Sequence, residues 1–146
     1  MATSAFRLYN EAKKYLLTGK LPISGTALRV GLFNGGVSSY TLSTWASLIT
    51  AGNPVSGGGY AAKTVTGIAV TAGSTTNVIK FDCSDKVWTA SGAAIPSIGY
   101  LAIGVSGGKA LGWVQLTTSP FTLADGNTVT IQWNASGVFT LSGGVT

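Results

Sequence analysis

From Tyr60 to the end of the chain, apolar and polar residues alternate in short runs broken by Gly, Asn and Ser. This cadence restricts the fold more than any other feature of the sequence. A period of two places side chains on the two faces of a strand, and turns arriving roughly every 8–12 residues are the pattern of a β-sandwich or barrel. Ile79, Phe81 and Cys83 alternate with Val78, Lys80 and Asp82. Residues 100–105 and 111–116 read as two apolar strands joined by the hairpin turn Ser106-Gly107-Gly108-Lys109. After the turn signal Asp125-Gly126-Asn127, Val129, Ile131 and Trp133 make the inward face of another strand. Asn134-Ala135-Ser136-Gly137 then turns into a last strand bearing Val138, Phe139 and Leu141. Val65, Ile68 and Val70 break alternation at Gly67, the mark of a bulge. No strand–helix–strand alternation is visible, which argues against a parallel nucleotide-binding sheet.

The first part of the chain reads differently. Ser4 is a candidate N-cap for a helix through Leu17, with Gly19 at the left-handed terminal position. Phe6, Tyr9, Ala12, Leu16 and Leu17 recur at helical spacing, and Arg7 and Glu11 stand in pairing positions. Lys13, Lys14 and Lys20 complement the negative end of the helix dipole. The apolar stripe serves either to dock this helix on its own sheet or to pack it on a neighbouring subunit. A turn-rich connector at residues 21–25 leads to a first strand over residues 27–33, with Leu28, Val30 and Leu32 on one face. Within residues 39–52, Ser43 caps a short helix that places Trp45, Leu48 and Ile49 together, or the segment is an extended loop pinned by Trp45. Gly57-Gly58-Gly59 lacks the Gly-Lys-Ser/Thr of a phosphate loop and fits close backbone approach instead. The expected organisation is a mainly β chain: an N-terminal helix over residues 1–20 and one antiparallel β-sandwich or barrel-like domain over residues 21–146. At 146 residues such a chain needs no disulfide to bury a core.

The chemistry the sequence carries is sparse. Charged residues are 9% of the chain, there are 21 Gly, and Ser and Thr make up roughly a quarter. A surface of hydroxyls and backbone suits a protein packed against copies of itself or a partner. The net charge of +5 reflects few acids rather than a dense basic stripe, so no nucleic-acid partner is expected. Histidine is absent and Cys83 is the only cysteine, which removes the commonest general base and any cysteine zinc site. No apolar run approaches the ~20 residues of a membrane span, and the N-terminus lacks the apolar core of a signal peptide, so cytoplasmic synthesis without a membrane partner is expected.

Residues 81–92 concentrate what reactive groups there are. Asp82 and Asp85 are the one acid–base candidate pair, and residues three apart on a strand face opposite sides. The same pair is a weak candidate for a calcium site, helped by Ser84 or Asp125, without an EF-hand loop. The plainer reading has both aspartates bonding local backbone N–H groups at a strand end, Cys83 in the core and Trp88 pinning the following loop. Ser nucleophiles lack both a Gly-x-Ser-x-Gly elbow and a His base. No enzyme and no cofactor are expected. Trp113 and Trp133 read as core, whereas Trp45 and Trp88 stand at element ends as exposed anchors. The candidate interface residues are therefore Phe6, Tyr9, Lys13, Lys14, Trp45 and Trp88.

The opening from Ser4 to Lys20, followed by Leu28-Arg29-Val30-Gly31-Leu32-Phe33, resembles the start of small virion proteins of tailed bacteriophages. Gly57-Gly58-Gly59-Tyr60, residues 81–91 and residues 125–134 extend the resemblance over most of the chain. It implies a capsid cement or decoration protein at the outer capsid surface, commonly a trimer, with the major capsid protein and its own copies as partners. In the early loop and around residues 98–105 this chain has Ser, Gly and Ala where such proteins carry acids, so docking by charge is not implied. A tail or baseplate module and a carbohydrate-binding β-sandwich for host attachment are the alternatives.

Overall fold

The computed structural model describes residues 5–21, 28–73 and 77–142. Its elements are β1 (Arg7–Leu8), α1 (Asn10–Leu17), β2 (Leu28–Phe33), α2 (Trp45–Gly52), β3 (Lys63–Thr64), β4 (Ala69–Ala72), β5 (Val78–Asp82), β6 (Lys86–Thr89), β7 (Ile95–Ile98), β8 (Tyr100–Val105), β9 (Ala110–Gln115), β10 (Phe121–Leu123), β11 (Thr128–Ile131) and β12 (Phe139–Ser142). The fold is mainly β and antiparallel. No sheet closes into a barrel, so the sandwich-like form of the expectation holds.

Four sheets carry the strands: β1-β9-β8-β2-β3, β10-β7, β11-β6 and β12-β5-β4. The expected hairpin is the spine of the first. β8 pairs with β9 on one side and with β2 on the other, and its residues Leu101, Ala102, Ile103 and Gly104 are all buried. Successive residues of a strand point to opposite faces, so four buried in a row mean that both faces are covered. On one face Gly31 and Gly104 leave room for a large ring. A Cβ at Gly31 would lie 3.2 Å from the Trp45 indole, and one at Gly104 3.0 Å from it. Trp45 thereby seats α2 on the sheet. The other face presents Leu28, Val30, Leu32, Leu101 and Ile103, which share one hydrophobic cluster with Ile95, Ile98, Trp88, Val129 and Phe81 of the smaller sheets.

Helix α2 bears out the short-helix reading, with its cap one residue later than expected. Thr44 Oγ1 accepts from the Ser47 N–H at 3.1 Å and Ser47 Oγ accepts from the Thr44 N–H at 3.1 Å, a reciprocal capping box. Leu48 is buried, but Ile49 is 41% exposed.

The N-terminal helix is shorter than expected. Residues 7–8 form β1, in register with Trp113 and Gly112 of β9, and α1 starts only at Asn10. The proposed cap Ser4 and the connector residues 22–25 lie outside the described residues. Phe6 and Leu8, two apart, are half-buried while Arg7 is exposed, which is a strand pattern that the helical spacing of Phe6 and Tyr9 had masked. Arg7 donates to Tyr40 Oη at 2.9 Å, and Glu11 pairs instead with Lys14 at 2.9 Å. α1 ends as expected, with Gly19 at φ 67°. It packs against β9, with Tyr9 N–H donating to the Leu111 carbonyl at 3.1 Å.

Two further expectations need correction. The break at Gly67 is not a bulge within one strand: β3 belongs to the five-stranded sheet and β4 to the three-stranded one, and the chain crosses between them there. Residues 86–89 are not loop but strand β6, paired to β11 with Trp88 opposite Val129 and Lys86 opposite Ile131. Among the described residues, no helix is long and apolar enough to cross a membrane.

Candidate functional site

The end of β5 and the stretch after it hold the reactive groups, and the structure sets each to a structural task. Asp82 Oδ1 accepts from the Cys83 N–H at 2.9 Å, while Oδ2 lies 3.8 Å from Lys80 Nζ. Asp85 Oδ1 accepts from the Trp133 N–H at 3.1 Å, across 48 residues of sequence. The carboxylates are committed to different backbone groups, as short acidic side chains at strand ends commonly are. Among the described residues, no three His, Cys, Asp or Glu side chains come together as metal ligands. Asp125, the other possible contributor, accepts from the Gly92 N–H at 2.9 Å.

Cys83 is buried, as expected. Burial pushes its thiol up to about 11, the Asp82 charge adds to the rise, and Lys86 works against it. At neutral pH little thiolate forms, and the thiolate is the nucleophile. The burial of Lys86 was not anticipated from the sequence. It is 9% exposed, and its Nζ donates to Thr66 Oγ1 at 2.6 Å. The signal was its spacing: Lys86 and Trp88 are two apart and share the inward face of β6.

The six candidate interface residues separate into three groups. Tyr9 and Trp88 are interior. Tyr9 is fully buried with its hydroxyl donating to the Val37 carbonyl at 2.7 Å, and burial pushes its phenol above the usual tyrosine range. Trp88 is 2% exposed, stacks on Tyr60 and donates Nε1–H to the Ala61 carbonyl at 2.9 Å. Their burial within the chain removes them from its surface. Phe6 and Trp45 are half-buried, Trp45 edge-on to Phe33 at 6.2 Å. Lys13 and Lys14 remain exposed, Lys13 Nζ lying 5.8 Å from the Tyr40 ring centre.

Two surface features were not anticipated. The first is the sheet β12-β5-β4. Its register brings Ile79 beside Leu141 and Ala72, and Phe81 beside Phe139 and Val70, so one face is wholly apolar. Phe81 is buried, yet Val70 is 53% exposed, Ile79 47% and Leu141 46%. The second is a groove of about 620 Å³ where this sheet meets the end of β9 and the segment after β11. Phe6, Trp133 and Phe139 supply its aromatic wall, and Thr130, Gln132 and Asn134 its polar rim. Trp133, expected in the core, is half-exposed here because β11 stops at Ile131 and the inward alternation stops with it.

Compared with known proteins, the chain matches no family model, no curated protein and no solved structure.

Proposed function

We propose that the chain is a non-enzymatic structural protein of a tailed-bacteriophage particle, a cement or decoration protein that bridges neighbouring major capsid subunits at the outer capsid surface and acts as a trimer. The observation that carries this reading is the open apolar face of the β12-β5-β4 sheet. Val70, Ile79 and Leu141 lie together on it at about half exposure, with no charged residue on that face. A contiguous exposed apolar surface of this kind marks an interaction site, and an uncharged one docks by burial rather than by ion pairing. The low charge of the chain and the resemblance to small virion proteins support the same reading. The aspartates and the cysteine, each in a structural task, give catalysis no support.

The mechanism is additive burial. Each copy covers a seam between capsid subunits, and separating those subunits then costs the burial of every copy that spans them. An interface of about 800 Å² per partner is enough for stable attachment. The test is to mix the purified protein with capsids that lack it and sediment the particles. Wild-type protein should travel with the capsids, and Ile79→Asp should stay in the supernatant while remaining folded by circular dichroism. Wild-type protein that never sediments with capsids defeats the reading.

A further inference from the structure

We propose that the groove walled by Phe6, Trp133 and Phe139 binds a neutral saccharide. The groove adjoins the apolar β-sheet face on which capsid attachment rests and shares Phe139 with it, but Gln132 and Ile79 belong to one site each.

The aromatic wall is held rigidly. Trp133 is fixed at its backbone by Asp85 at 3.1 Å, and its indole N–H donates to the Ser84 carbonyl at 3.4 Å. Phe6 meets it edge-on at 6.5 Å and stacks on Phe139 at 5.9 Å, and Phe139 in turn stacks on Phe81 at 5.0 Å. That chain of rings runs from the groove into the core, so the wall requires little ordering when a ligand arrives. Pre-organisation of this kind lowers the entropic cost of binding. The adjoining turn is fixed as well: Asn134 Oδ1 accepts from the Ser136 N–H at 2.8 Å, and the Gly137 N–H donates to the Asn134 carbonyl at 2.8 Å.

The rim chooses the ligand class. No described residue hydrogen-bonds the side chain of Thr130 or Gln132, and Asn134 uses only its oxygen, so three residues lining the groove carry hydroxyl and amide groups with bonding capacity unspent. Among the described residues, none lining the groove is ionisable. A phosphate, carboxylate or sulfate ligand would lose its hydration without meeting a cation, and an ammonium would meet no carboxylate. A fatty chain would make no use of the hydroxyl and amide groups of the rim. A pyranose offers an apolar C–H face for the rings and a girdle of neutral hydroxyls for Thr130, Gln132 and Asn134. The groove's volume lies within the ~300–1,000 Å³ of small-ligand sites.

The experiment uses the full chain on an array of neutral and acidic oligosaccharides, followed by calorimetric titration with the neutral glycans retained. Binding to at least one neutral glycan is expected, weakened at least tenfold by Trp133→Ala and about fivefold by Gln132→Ala. Gln132 is exposed, so its variant keeps the wild-type Tm and decides the matter even if Trp133→Ala does not fold. Absence of any neutral glycan binding, binding confined to acidic glycans, or equal affinity in wild type and Gln132→Ala would each overturn the assignment. Capsid attachment is measured separately with Ile79→Asp, so failure of one site leaves the other standing.

Discussion

The five-stranded sheet and the three-stranded sheet β12-β5-β4 are both antiparallel and both apolar, yet the chain treats them in opposite ways. In the first, β8 and β9 are buried almost without interruption, and glycines at positions 31 and 104 admit the Trp45 ring to one face. In the second, all four residues of β4 are exposed and Phe81 is the one residue of β5 that is buried. Hydrophobicity alone does not separate them, since Val70 and Ile79 are as apolar as Val30 and Ile103. What separates them is whether other elements cover both faces. The covered sheet is the one buried on both faces, and the uncovered one leaves apolar area exposed.

The contrast breaks most visibly at the buried end. Trp88→Ala removes a ring that is 2% exposed together with its bond to Ala61, and should cost about 4 kcal/mol. Leu101→Ala, at a fully buried position in β8, should cost about 3 kcal/mol. Urea unfolding measures both. A loss under 1 kcal/mol at either site would mean that the covered sheet is not where stability lies.

The same contrast explains what was legible in the sequence. The β8–β9 hairpin was plain because two apolar runs flank a Gly-Gly turn, whereas α2 was one of two readings open for residues 39–52, and the capping box at Thr44, one residue past Ser43, decides for the helix. Strand β6 was not, because its polarity is inverted: Lys86 points inward with Trp88, while Val87 is 46% exposed. A reader of hydropathy sees no inward face in Lys-Val-Trp-Thr. The N-terminus failed for another reason. Phe6, Leu8 and Tyr9 satisfy both strand and helix periods, and only pairing with β9 decides between them. The groove was hidden because Trp133 continues the alternation of Val129 and Ile131 past the point where β11 ends. Asp85, 48 residues earlier, is what holds Trp133 there, and no local pattern records that contact.

Cys83 is buried just after β5, where the chain leaves the exposed three-stranded sheet for the β11-β6 pair. Burial, chiefly, pushes its thiol from the ordinary value of 9.0 up to about 11 in the fold. Folding therefore favours the protonated form. That stability is fully present below pH 9 and is lost as the pH rises through 11, amounting to at most about 3 kcal/mol. Tyr9, raised by burial, adds a loss of the same sign at alkaline pH. Urea midpoints at pH 8 and pH 11 should fall further in wild type than in Cys83→Ala. An identical pH dependence in the two proteins would place Cys83 outside the cooperative core.

The smallest effect gives the sharpest comparison. Ile79 and Leu141 are register partners on the open face, each nearly half exposed. Ile79→Ala uncovers little that was buried and creates no enclosed cavity, so the transfer and cavity terms that make Leu101→Ala costly are both small. The expected loss is less than about 1 kcal/mol, with capsid attachment falling much more than stability does. Amide hydrogen exchange gives a second reading without mutation, because segments with few buried contacts open locally at low free energy. The amides of β4 should exchange well before those of β8. If Ile79→Ala instead destabilises the protein as much as Leu101→Ala, the three-stranded sheet belongs to the folding core, and its apolar face is structural rather than held for a partner.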